Sequence, residues 1–202
     1  MSDFINTIDN LGEAIFLDRF YRGTLVEYQD DKITHVGAMV FDGCEQLAKV
    51  NIPCVKTLDT SAFNGCSALV DFNAPLLTAI HSRALAGTAI KELCLEDLHY
   101  IGMYAFQGCT ALKKVDISSS VDHINIGAFY DCTSLDTLIL RNCLNRSQAS
   151  TSNLLTGTPI ALGKGYIYVP SSLLSGYKTA TGWSTYSAQF RAIEDYPDIC
   201  SA

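Results

Sequence analysis

The chain has 202 residues, 48% of them apolar and 17% charged, and a formal net charge of −7. That length supports one domain with a full core and is short for a two-domain enzyme. The apolar share excludes disorder, the acidic balance argues against a nucleic-acid surface, and no stretch approaches the ~18 to 20 apolar residues of a membrane span.

Residues 1–32 read as an N-terminal cap. Acids at Asp3, Asp9 and Glu13 stand where a secretory signal needs a basic start and an apolar run. The expected location is therefore a bacterial cell surface if a signal peptide was removed, and otherwise the cytoplasm or a phage virion. Ile5, Ile8, Ala14 and Ile15 are at partly helical spacing and predict a covering helix. The run from Gly23 to Tyr28 predicts a short strand closed by an Asp30-Asp31 turn.

Residues 33–143 contain five repeats of about 22 residues. Phe41, Phe63, Leu85, Phe106 and Phe129 recur at spacings of 22, 22, 21 and 23. A small pair follows each: Gly43-Cys44, Gly65-Cys66, Gly87-Thr88, Gly108-Cys109 and Asp131-Cys132. An apolar triplet comes next, as in Leu47, Val50 and Ile52 or Leu112, Val115 and Ile117. Five residues before each Phe or Leu stands Val36, Leu58, Ile80, Ile101 or Ile124. Such a coil cannot bury its own apolar side and must stack on its neighbours, which makes the chain a solenoid. The alternating triplet predicts a short strand per coil, and stacked strands make a parallel sheet along one face. Glycine ahead of the Cys column permits the reversal that returns the chain to that sheet.

Cys44, Cys66, Cys109 and Cys132 fall in one column, with Thr88 in the same slot. They are expected to be buried structural thiols, because side chains stacked in register point the wrong way for a disulfide. Thiols spaced along one column also give no tetrahedral cluster, so no metal is expected. Cys94 falls at an outward strand position.

Residues 144–170 form a loop and a degenerate sixth repeat. Leu154 to Ile160 mirrors Ala84 to Ile90 position by position, and Ile167-Tyr168-Val169-Pro170 supplies a late strand after a glycine-rich insertion. Residues 171–202 read as a helical C-terminal cap. Ser171 or Ser172 is the expected N-cap of a helix carrying Leu173, Leu174 and Tyr177, and Trp183, Tyr186 and Phe190 suggest a second helical face.

The unit I-G-x-x-A-F-x-G-C-x-x-L-x-x-V-x-I-P, clearest from Ile101 to Ile117, resembles the BspA-type leucine-rich repeat family over roughly residues 33–170. The tail from Gly165 through Tyr177-Lys178 to Tyr186 is similar to closing segments of family members from gut bacteria and their phages. The resemblance implies an α/β repeat fold: a right-handed leucine-rich-repeat solenoid with a short parallel sheet and helical N- and C-terminal caps. It also implies protein binding or adhesion, generally without catalysis.

The residues themselves suggest no enzyme and no cofactor. His35, His81, His99 and His123 occupy three repeat offsets, which stacking is not expected to bring together, and no phosphate loop, H-E-x-x-H or calcium loop occurs. The expected binding surface is the outward side of the sheet. One column there holds Lys49, Asp71, Glu92, Lys114 and Thr137, and the other holds Asn51, Asn73, Cys94, Asp116 and Ile139. The expected partner is a protein or glycan, with no nucleic acid and no membrane insertion. Two alternatives stand beside this: a solvated face whose ion pairs satisfy one another, and a structural part of a phage virion or surface assembly.

Overall fold

The structure is a computed structural model, and it describes residues 23–141 and 153–200. The helix expected within residues 3–20 and most of the loop expected over 141–153 lie outside them. In chain order the strands are β1 (Glu27–Gln29), β2 (His35–Val36), β3 (Lys49–Asn51), β4 (Thr57–Leu58), β5 (Asp71–Asn73), β6 (Ala79–Ile80), β7 (Glu92–Leu95), β8 (Tyr100–Ile101), β9 (Lys114–Ile117), β10 (His123–Ile124), β11 (Thr137–Leu140), β12 (Tyr166–Val169) and, after helix α1 (Ser171–Thr179), β13 (Phe190–Ala192). Each coil contributes a longer strand to one side and a two-residue strand to the other.

The two-residue strands form one continuous parallel sheet in the order β10-β8-β6-β4-β2. The longer strands form two: a three-stranded sheet β1-β3-β5 and a five-stranded sheet β13-β12-β11-β9-β7. The single sheet expected on this side is thus interrupted between β5 and β7, where the repeat spacing shortens to 21.

The inward columns meet along the axis. Val36, Leu58, Ile80, Ile101 and Ile124 are all fully buried, as are Phe63, Leu85, Phe106, Phe129 and Leu155. Phe41 and Phe63 stack with centroids 4.8 Å apart, and Phe106 and Phe129 with centroids 5.4 Å apart. Leu85 interrupts the aromatic stack between them. Full burial of each large side chain stabilises the fold by roughly 1.5–3 kcal/mol. A further buried column, Val55, Leu77, Leu98 and Val121, sits just ahead of the short strands. Its spacing is the same 22, 21 and 23, so the sequence carried it and only the choice of columns missed it.

The reversal between the two sides uses two left-handed residues per coil. Gly43, Gly65, Gly87 and Gly108 have φ between 70° and 73°, as the glycine column requires, and Asp131 takes the same slot at φ 57°. Four residues earlier stands a column without glycine preference: Met39, Ser61, Arg83 and Tyr104, at φ 56–61°, then Gly127. A non-glycine residue in this region costs about 1–2 kcal/mol. Backbone bonds between coils impose it. Met39 N–H donates to Thr60 O, Ser61 to Ser82 O, Arg83 to Met103 O and Tyr104 to Ile126 O, all at 2.9–3.0 Å.

The cysteine column is buried, and its thiols act as donors between coils. Cys66 donates to Phe41 O at 3.0 Å, Cys109 to Leu85 O at 3.1 Å and Cys132 to Phe106 O at 3.0 Å. Thr88 and Thr158, in the same slot, turn back to their own coil and donate to Leu85 O and Leu155 O. The longer C–S bond lets a thiol reach the preceding coil, whereas a hydroxyl closes the local turn. Burial pushes the Cys66 thiol well above its ordinary range, and a hydrogen bond with the Cys109 sulfur, together with burial, does the same for Cys132.

The C-terminal segment departs from a helical cap. It contains one nine-residue helix, α1, then short 3-10 turns and strand β13. Phe190 and Ala192 pair in parallel register with Ile167 and Val169, so they bury their side chains by prolonging the sheet. Trp183 is fully buried against Tyr177 and Phe190, as a cap core. The N-cap of α1 is Pro170 and neither serine. Ser171 is the first helical residue, and its N–H and hydroxyl bond the Glu194 carboxylate at 2.9 and 3.2 Å. An acid from the far side of β13 thereby takes the place of a local cap.

Candidate functional site

The first outward column behaves as its alternation predicts. Lys49, Asp71 and Glu92 are exposed, and Lys114 and Thr137 are half-buried. Register places Lys49 beside Asp71 and Glu92 beside Lys114. Lys49 Nζ lies 3.4 Å from Asp71 Oδ2, an exposed pair of little energetic consequence. The column is longer than its predicted members: Glu27 pairs with Lys49 at one end and Tyr166 with Thr137 at the other.

The second column changes character along its length. Asn73 Nδ2 donates to Asn51 Oδ1 at 2.7 Å, and Cys94 is exposed. Asp116 and Ile139, expected at the surface, are instead buried, at 7% and 0% exposure. For Asp116 the cause is Arg141, which lies just beyond β11 and grips the carboxylate with Nε at 2.7 Å and Nη2 at 2.6 Å. That bidentate geometry is the strong form of the interaction, and it holds the carboxylate down on the sheet. Desolvation, then the charge of Asp116, raises the Cys94 thiol above its ordinary range.

Beyond Ile139 the same column continues through Tyr168 to Arg191. Tyr166 and Tyr168 are 6.3 Å apart edge to face, and Tyr168 and Tyr196 are 5.2 Å apart. The polar face therefore ends in tyrosines. Tyr168 was visible in the sequence as a strand residue and Tyr166 stood just ahead of that strand, but Arg191 and Tyr196 join them only because β13 is a strand.

On the opposite side His81 and His123 each neighbour the ring of Tyr100 rather than one another. Tyr100 pairs with His123 in register, and its ring lies 5.4 Å from His81 and 6.4 Å from His123. His99 Nδ1 is 3.7 Å from Asp122 Oδ2. Among the described residues no group of three or more His, Cys, Asp or Glu could hold a metal ion, and no helix is long and apolar enough to cross a membrane.

Stacked parallel coils with a longer and a shorter strand each define a leucine-rich-repeat type of β-solenoid. The family profile described as "BspA type Leucine rich repeat region" matches residues 34–151 in 6 copies, and the chain belongs to that family. No curated protein matches the sequence. Among solved structures, a leucine-rich repeat protein of T. pallidum is 22% identical with a TM-score of 0.59, the match covering 73% of this chain and 70% of that one. One from Bacteroides ovatus is 24% identical, TM-score 0.53, covering 73% of this chain and 44% of the other. A leucine-rich cell surface protein of Faecalibacterium prausnitzii is 26% identical, TM-score 0.53, covering 67% and 36%. The chain thus spans less than half the length of the last two.

Proposed function

We propose that the chain is a non-catalytic binding module that engages a protein or glycan through the outward face of its longer strands, in adhesion at a bacterial surface. What carries the reading is the register of that face. On each side of the interruption, polar side chains of neighbouring coils stand beside one another, exposed in Lys49, Asp71 and Glu92, on the kind of surface that solenoids of stacked repeats use for partners. Such stacking also favours a right-handed path, the near-universal hand of parallel β connections. The similarity to a protein described as a leucine-rich cell surface protein supports a surface location over a virion component. The test is binding of the purified chain to immobilised extracellular-matrix proteins and glycans by surface plasmon resonance. The double variant Asp71→Lys/Glu92→Lys retains its fold, because exposed ion pairs contribute at most about 1 kcal/mol. It should bind about tenfold more weakly, the effect of about 1.4 kcal/mol. Unchanged affinity for every captured partner would overturn the assignment of the face.

A further inference from the structure

We infer that the C-terminal end of this face is a subsite for a single carboxylate on a sugar, formed by Arg191 with Tyr166 and Tyr196. The inference rests on the reading of the longer-strand face as the binding surface, and it supplies the ligand chemistry. Arg191 is a prepared cation. Its Nη1 donates to Ala188 O and Phe190 O, both at 2.9 Å, and its guanidinium carbon lies 4.3 Å from the centroid of the Tyr166 ring. Those contacts fix the plane of the group and use the Nη1 hydrogens. Nε and Nη2 form the edge that grips a carboxylate in side-on bidentate fashion, as the same two atoms of Arg141 grip Asp116. Among the described residues no carboxylate occupies that edge of Arg191, although the chain carries a net charge of −7.

The surroundings specify the rest of the ligand. Tyr166 and Tyr196 are 42% and 40% exposed, and each lies against Tyr168. Exposed phenol faces take the C–H faces of a sugar ring, and their hydroxyls can bond sugar hydroxyls. An acidic peptide suits the place less well. One guanidinium holds one carboxylate, and the rings beside it are uncharged tyrosines. The occupant is therefore an oligosaccharide carrying one acidic sugar, of the sialic or uronic acid class.

Isothermal titration of the full chain with sialyllactose and with lactose tests this, since the two differ by the acidic sugar. Sialyllactose should bind at least about tenfold more tightly than lactose, as expected for hydrogen bonds to a charged group. Arg191→Gln should remove about ten- to a hundredfold of that affinity, and Arg191→Lys nearly as much, because a point charge lacks the fork. Tyr166→Leu should cost about two- to tenfold. Thermal unfolding checks that each variant is folded, and Arg191→Lys keeps the test open should the Gln variant unfold. Equal binding of sialyllactose and lactose, retention of affinity in Arg191→Lys, or tighter Arg191-dependent binding of a hexaglutamate peptide would each overturn the inference. The Asp71→Lys/Glu92→Lys variant separates the two proposals. If captured partners depend on it while sialyllactose fails to bind, the face stands and the acidic-sugar subsite falls.

Discussion

Alanine at Gly108 measures what the left-handed turn of each coil costs. Gly108 has φ 70°, and a Cβ placed there would have nothing within 4 Å. Space is therefore no obstacle, and the whole effect is conformational. The left-handed region costs a residue with a side chain about 1–2 kcal/mol, while alanine restricts the unfolded chain and returns about 0.4–1 kcal/mol. The net loss lies between about 0 and 1.6 kcal/mol, about 0.8 kcal/mol at mid-range, or about 0.4 M in the urea midpoint for a slope near 2 kcal/mol/M. Gly37→Ala is the matched comparison. Its backbone is outside the left-handed region, and its added Cβ would meet Val40 Cγ2 at an ordinary 3.6 Å. Only the unfolded-chain term remains there, so Gly37→Ala should raise the midpoint. Urea titration followed by circular dichroism, with unchanged slope, reads both. A Gly108→Ala that raises the midpoint as much as Gly37→Ala does, or an equal loss at Gly37, would refute the conformational reasoning.

Other outcomes follow from particular contacts. Asp116→Ala strips Arg141 of its bidentate partner and should destabilise by about 1–3 kcal/mol, read from the urea midpoint. Phe63→Ala opens the stack with Phe41 and should cost about 3–5 kcal/mol in the same assay. Iodoacetamide should label exposed Cys94 in the native protein while sparing Cys66, Cys109 and Cys132, and its rate at Cys94 should keep rising with pH beyond the ordinary thiol range, because the thiolate is disfavoured there. Mass spectrometry of the peptides checks both. Hydrogen bonds from its own backbone N–H, then from Ser171, lower the pKa of Glu194. Its contribution is therefore present above the ordinary carboxylate range and lost as pH falls through the lowered value. The midpoint difference between wild type and Glu194→Gln should shrink to nothing in acid.

What the sequence by itself determined was the coil: its period, its inward columns, its cysteine ladder and the glycine that reverses it. Those features repeat because every coil meets the same neighbours, so one physical demand is written five times in residues 33–143. The first outward column was legible for the same reason, since strand alternation leaves no other place for Lys49, Asp71 and Glu92. Features that occur once had no such redundancy. Trp183, Tyr186 and Phe190 are spaced as on a helix, yet Phe190 gains more by stacking on Ile167 in a strand, and only that choice brings Arg191 and Tyr196 to the face. Asp116 looks outward by alternation and is buried because Arg141, 25 residues further on, folds over it. Met39, Ser61, Arg83 and Tyr104 share a left-handed backbone with no common residue type, because the hydrogen bonds they donate to the next coil impose it. The tertiary structure alone decided these points, since each depends on a contact between segments whose local preferences leave the outcome open.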